Sequence, residues 1–298
     1  MTRKASMGTM HAGEAVIETG LVRRLLTAQF PQWADLPIEP CPSPGTVNAV
    51  FRLGDDLSVR LPRVEWGVAD VGKEQSWLAR LAPLLPVPIP EVLGAGAPGE
   101  GFPWPWSVCR WIDGENPEEG QVADPEGLAA DLAAFVAAFR RIDLPDAPPA
   151  YRGGPLANLD AGTRKAIVEL DGLIDTAAAT EAWESALRAP VWDGPPVWVH
   201  ADLMPGNLLV AGGRLTGVID FATAGVGDPA CDLIVAWNLL PPRGREVFRT
   251  ALGADDAMWE RGRGRALSIA LIALPYYQET NPAFAANARH VIDAVLTS

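Results

Sequence analysis

The chain is 298 residues long, 48% hydrophobic and 20% charged, with a formal net charge of −13. This balance excludes a disordered chain and provides for one large domain or two smaller ones around a sizeable core. The acidity argues against a nucleic-acid partner, which needs clustered basic residues, and no apolar run reaches the ~18–20 residues of a membrane helix.

The N-terminal stretch MTRKASMGTMHAGEAVIETG starts basic but has no apolar segment behind it, so it does not read as a secretion signal. Cys41, Cys109 and Cys231 are odd in number, far apart and without metal-ligand spacing. Reduced, mostly buried thiols in a cytoplasmic protein are the expectation. The charge is unevenly spread: residues 112–190 carry fifteen acids against six bases, whereas residues 1–111 carry eleven against ten. Such a block is either the solvated faces of helices or a field that draws in a cationic small molecule.

From Glu14 to Phe30 the apolar residues Val16, Leu21, Leu25 and Leu26 recur at helical spacing, and Pro31 ends the run. Ala49 to Leu53, the turn Gly54-Asp55-Asp56, and Leu57 to Leu61 predict a hairpin. Asp70 to Leu84 predicts a helix stopped by Pro86, and Ser107 to Ile112 a strand leading into the loop Asp113 to Pro117. Asp124-Pro125 is a cap-then-proline helix start, continued by Leu128, Leu132, Phe135, Val136 and Phe139 on one face. Helical material from Tyr151 to Arg188 precedes three short strands, Val197 to His200, Asn207 to Val210 and Leu215 to Ile219, with Gly212-Gly213 as a turn. Asp232 to Leu240 and Arg263 to Ser298 close the chain as helices. The composition shifts near residues 112–117, which divides the chain into residues 1–112 and 113–298.

The chemistry concentrates in VHADLMPGN (199–207) and VIDF (218–221). Asp202, Asn207 and Asp220 fall on turns between short strands and form a set of oxygen donors for a hard cation such as magnesium. One acid suits a base for an alcohol, and the other groups suit magnesium ligands that hold a nucleoside triphosphate.

HADLMPGN resembles the catalytic loop H-x-D-x-x-x-x-N of the protein-kinase-like superfamily, and Ile219-Asp220-Phe221 resembles its D-F-G segment. Gly227-Asp228-Pro229-Ala230 with Asp232-Leu233 is similar to the GDPAxDL segment of aminoglycoside phosphotransferases and related small-molecule kinases. The resemblance covers about residues 40–298. It implies an α+β, bilobal fold with a β-rich N-terminal lobe, a mostly helical C-terminal lobe, and ATP or GTP with Mg2+ between them.

By the same resemblance Asp202 orients or deprotonates the acceptor hydroxyl, and Asn207 and Asp220 bind the metal. His200 is the second catalytic candidate, although a histidine beside an apolar strand favours support of the loop over proton transfer. Arg60 in LSVRLPR stands where kinases carry a phosphate-binding lysine, with Arg63 as competitor, and Glu74 is its expected partner. Gly45 and Thr46 are the nearest equivalent of a phosphate-covering loop, and Cys109, Arg110 and Ile112 fall on the segment expected to read the purine. Met204 replaces a kinase lysine, which speaks against a protein substrate.

The acceptor is expected to be a small, cationic molecule, an aminoglycoside-type antibiotic above all. A macrolide, or a metabolite such as choline, homoserine or a sugar, is the alternative within the class. The alternative of another class is a nucleotide-binding pseudokinase, motivated by Arg60 and the sparse glycines before it. No membrane partner is expected.

Overall fold

Alternation of apolar and polar residues builds a sheet in the first third of the chain. The computed structural model describes residues 15–41 and 47–297. The chain divides into two units: one contains the residues up to Arg80 and Pro90–Trp111, the other Leu81–Ile89 and the residues from Ile112 onward.

In the first unit β1 (Ile38–Pro40), β2 (Asn48–Leu53), β3 (Leu57–Pro62), β4 (Val92–Gly96) and β5 (Trp106–Arg110) pair antiparallel in the order β1-β2-β3-β5-β4. The predicted hairpin is β2–β3, with Leu53 opposite Leu57 and Gly54 at φ +60 in its turn. Ala49, Phe51 and Leu53 face inward at period two. They pack with Val22, Leu25 and Leu26 of α1 (Thr19–Gln29) and with Trp106 and Val108 of β5. Helix α2 (Val68–Leu81) is tied to β5 by Gln75, whose Nε2 donates to Trp106 O at 3.2 Å and to Ser107 Oγ at 3.0 Å. Strands β1 and β4 carry no sequence signal: the first is three residues ending in proline, the second holds two glycines.

The second unit contains α3 (Pro125–Arg140), α4 (Asp160–Glu169), α5 (Thr176–Arg188), β6 (Val197–Val199), β7 (Leu208–Ala211), β8 (Arg214–Val218), β9 (Gly225–Gly227), α6 (Val235–Asn238), α7 (Pro242–Leu252), α8 (Asp256–Tyr277) and α9 (Pro282–Leu296). Asp124 caps α3 by accepting the Gly127 N–H at 2.9 Å. The five apolar residues of the predicted face are all buried. The long helical stretch expected from Tyr151 to Arg188 is two helices, α4 and α5, and the final one is also two, α8 and α9. Helix α8 is the spine against which α4, α5, α9 and the 229–234 turn pack. Its capping residue is Asp255, which accepts the Met258 N–H at 2.7 Å. Among the described residues no helix is long and apolar enough to cross a membrane.

Many acids of the 112–190 block serve this framework. Asp124 and Asp175 cap helices. Asp131 pairs with Arg214, Asp160 and Glu184 flank Arg164, and Glu169 pairs with Lys165.

Candidate active site

The loop after β6 carries His200, Ala201 and Asp202. Ala201 has φ +63, a left-handed conformation that costs a residue with a side chain about 1 kcal/mol or more. Asp232 holds it there, accepting the His200 N–H at 3.0 Å through Oδ2 and the Ala201 N–H at 2.8 Å through Oδ1. Burial pushes the Asp232 carboxyl above the usual range, a rise that His200, these two N–H groups and Arg140 oppose. His200 is wholly buried. Its Nε2–H donates to Ile219 O at 3.1 Å, which fixes the tautomer, and its ring meets Phe221 edge-on at 4.7 Å. Thr223 Oγ1 donates to the His200 carbonyl at 2.7 Å.

Asp202 leads directly to Asn207, whose Nδ2 donates to Asp202 O at 2.8 Å and to Asp202 Oδ2 at 2.9 Å. With its nitrogen so used, the Asn207 amide presents Oδ1 as an acceptor. The β7–β8 hairpin turns through Gly212 and Gly213, at φ +57 and +79, and sets Leu208 opposite Val218. That register brings the residues flanking the ribbon together: the Ile219 N–H donates to Asn207 O at 2.9 Å. Asp220 follows at φ +62, a second left-handed residue at the same end of the ribbon. Asn116 supports the loop from outside, its Nδ2 donating to Gly206 O at 3.0 Å and to Leu208 O at 2.8 Å.

Of the groups beneath the loop, Arg152 had no reading in the sequence, whereas Asp228 was marked by the Gly227–Ala230 segment. Arg152 Nη1 donates to Asp202 Oδ1 at 2.7 Å, with both side chains about a quarter exposed. Asp228 is buried against two arginines, taking Arg261 Nε at 2.9 Å and Arg265 Nη2 at 3.2 Å on Oδ2. Burial raises the Asp228 carboxyl, but the hydrogen bonds from Arg261 and the Ala230 N–H, with the charge of Arg265, outweigh it and hold it below the usual carboxylate range.

In the first unit Arg60 of β3 reaches Glu74 of α2, Nη1 lying 3.2 and 3.1 Å from its two carboxylate oxygens. The pair is largely buried. Cys109 is buried in β5, and burial pushes its thiol up to about 12. The Arg110 N–H donates to Glu91 O at 2.9 Å and the Trp111 N–H to Asp56 O at 2.7 Å, so both amides are engaged within the unit. Ile112 belongs to the second unit and packs over Gly217 of β8. Gly45 and Thr46 lie outside the described residues.

A family model described as the phosphotransferase enzyme family matches residues 41–267, and the chain belongs to that family. A curated relative, aminoglycoside 3'-phosphotransferase from Escherichia coli, is 39% identical over 62 residues. That match spans 21% of this chain and 23% of the relative's length. Among solved structures, the GDP and kanamycin complex of an APH(2") enzyme superposes with a TM-score of 0.74 at 19% identity, covering 92% of this chain and 97% of that one. The macrolide 2'-phosphotransferase MphH from Brachybacterium faecium superposes at 0.62 and 22% identity, covering 93% and 98%. The antiparallel sheet followed by a helical second unit is thus the bilobal, protein-kinase-like α+β fold that the sequence implied.

Proposed function

We propose that the protein transfers the γ-phosphate of ATP or GTP to a hydroxyl of a small molecule, with Asp202 as the group that orients the hydroxyl and takes its proton. The observation that carries this reading is the bonded chain from Asp202 through Asn207 to Ile219, which joins the two motifs at one end of the β7–β8 ribbon. In the step, the acceptor oxygen bonds to the γ-phosphorus while the bond to the leaving diphosphate breaks, and the hydroxyl proton passes to Asp202.

The donor set fits magnesium. Asp220 offers a carboxylate and Asn207 its Oδ1, both hard oxygen ligands. Asp220 and Asn207 would hold the ion, which would need further oxygen ligands from the nucleotide or water, since among the described residues no group of three or more His, Cys, Asp or Glu is placed to hold a metal. When bound, the ion offsets charge on the phosphates. Within the first unit, Arg60 paired with Glu74 is a guanidinium of the kind that binds phosphate. The amides of Arg110 and Trp111 are engaged within the first unit and are not offered to a purine. His200, buried and bonded to Ile219 O, acts as the support under the loop rather than as a proton carrier.

The similar proteins act on aminoglycosides and macrolides by name, and these antibiotics head the acceptors to try, before choline, homoserine and sugars. The test is release of ADP or GDP from ATP or GTP with magnesium across that panel. Acceptor-dependent release that disappears in Asp202→Ala supports the reading. Nucleotide binding with no release for any acceptor, and none without one, favours the pseudokinase.

A further inference from the structure

The carboxylate assigned to the acceptor hydroxyl is not bare. Asn207 holds its Oδ2 and Arg152 its Oδ1, at 2.9 and 2.7 Å. A hydroxyl therefore reaches Asp202 at an oxygen that it shares with, or takes from, a guanidinium. The backbone of Arg152 is fixed. Its carbonyl accepts from Arg265 Nη1 at 2.6 Å and from Cys231 Sγ at 3.2 Å. Its neighbours are laced along β9 by Ala150 N–H to Val226 O at 3.0 Å and Asp228 N–H to Gly153 O at 3.0 Å. Only the side chain can swing, so its charge stays within one side-chain length of the reacting group.

The recess beside it has the same character. Arg152, Arg265, Ala201, Cys231 and the aliphatic side chains of Leu159, Ile234 and Ile269 line it, and among the described residues no carboxylate does. Behind it a single carboxylate, Asp228, serves both Arg261 and Arg265. Arg265 is buried and held by the Arg152 and Gly154 carbonyls and by Asp228, so Arg152 is the guanidinium that stands partly exposed beside the base.

We infer that Arg152 is a specificity-determining residue: the acceptor group adjoining the phosphorylated hydroxyl is neutral or anionic, such as a carboxylate, and an ammonium at that place is disfavoured. The inference rests on the phosphotransferase reading above and refines its acceptor; charge elsewhere on the acceptor is not restricted. An ammonium held a few ångströms from Arg152 is repelled, whereas a carboxylate gains a charge-assisted hydrogen bond.

The experiment compares kcat/KM of the wild type, Arg152→Met and Arg152→Lys for three acceptor groups: aminoglycosides, neutral sugars and polyols, and sugar acids with other hydroxy acids. Acceptor-free release is measured alongside, and the phosphorylated hydroxyl is located by NMR. The wild type is expected to favour hydroxyls beside neutral or carboxylate groups. Arg152→Met should shift the ratio of ammonium-flanked to carboxylate-flanked acceptors at least ~10-fold toward the former, and Arg152→Lys should keep the wild-type order. A wild type that prefers ammonium-flanked hydroxyls overturns the inference. So does an active Arg152→Met that lowers every acceptor by one factor, which is what a merely structural arginine would do. Absence of release with and without acceptor in the wild type contradicts the phosphotransferase reading itself.

Discussion

Asp228 and Asp232 lie four residues apart, both buried, and their environments push them in opposite directions. Asp232 meets two backbone N–H groups and its carboxyl is raised by burial, whereas Asp228 meets two arginines and its carboxyl is lowered. A lowered value means that the folded state holds the proton less tightly than the unfolded chain. The Asp228 cluster therefore contributes stability above the ordinary carboxylate range and loses it as the pH falls through the lowered value. Asp228→Asn leaves Arg261 and Arg265 buried without their counter-charge, at a cost of about 3–5 kcal/mol. Urea unfolding at pH 7 should show that loss, and the gap from the wild type should narrow toward pH 3. Equal stability at pH 7 would contradict the assignment. At the same scale, Asp202 and Asn207 were legible as a pair because they belong to a local pattern, five residues apart on one loop, and they are hydrogen-bonded to each other. Arg152 was not, because it lies 50 positions from Asp202 and the chain between carries no trace of their contact.

Strand β9 shows how an element places a residue that it does not contain. Segment 148–153 runs against β9, with the Val226 N–H donating to Pro148 O at 2.8 Å. A Cβ at Gly225 would sit 2.4 Å from Pro148 O, and one at Gly227 2.5 Å from Gly153 Cα. Both neighbours are backbone and cannot yield, so these glycines let the segment bearing Arg152 approach. Gly227→Ala should cost about 1–3 kcal/mol in stability and lower turnover more than Gly72→Ala, since Gly72 is helical and a Cβ there meets nothing within 4 Å. Comparable effects of the two would remove β9 as the device that sets Arg152. The sequence predicted the β2–β3 hairpin, α3 and the β7–β8 ribbon because each shows its own period or turn. It did not show β9, three residues with two glycines whose pairing to β6 is a long-range choice. The acid block was legible as charge but ambiguous as function, and its members largely serve caps and ion pairs.

On the scale of the molecule, the chain forms two units, and Leu81–Ile89 joins the second, which no sequence boundary announced. Both cores enclose a cysteine. Burial pushes the thiols of Cys109 and Cys231 up to about 12, while Cys41 is only partly buried. A thiol reagent at pH 7.5 should therefore modify Cys41 alone in the native protein and all three cysteines after denaturation. Rapid native labelling of Cys109 or Cys231 would show that a core opens.

The measurement that bears most directly on the account is titration of nucleotide with magnesium into the wild type, Asp202→Ala and Asp220→Ala, paired with turnover of each. Asp202→Ala is expected to bind as the wild type does while turnover falls about 100-fold or more, and Asp220→Ala to lose the magnesium-dependent part of binding. Loss of binding and turnover in equal measure in Asp202→Ala, or unchanged magnesium dependence in Asp220→Ala, would contradict the division of labour between base and metal ligands.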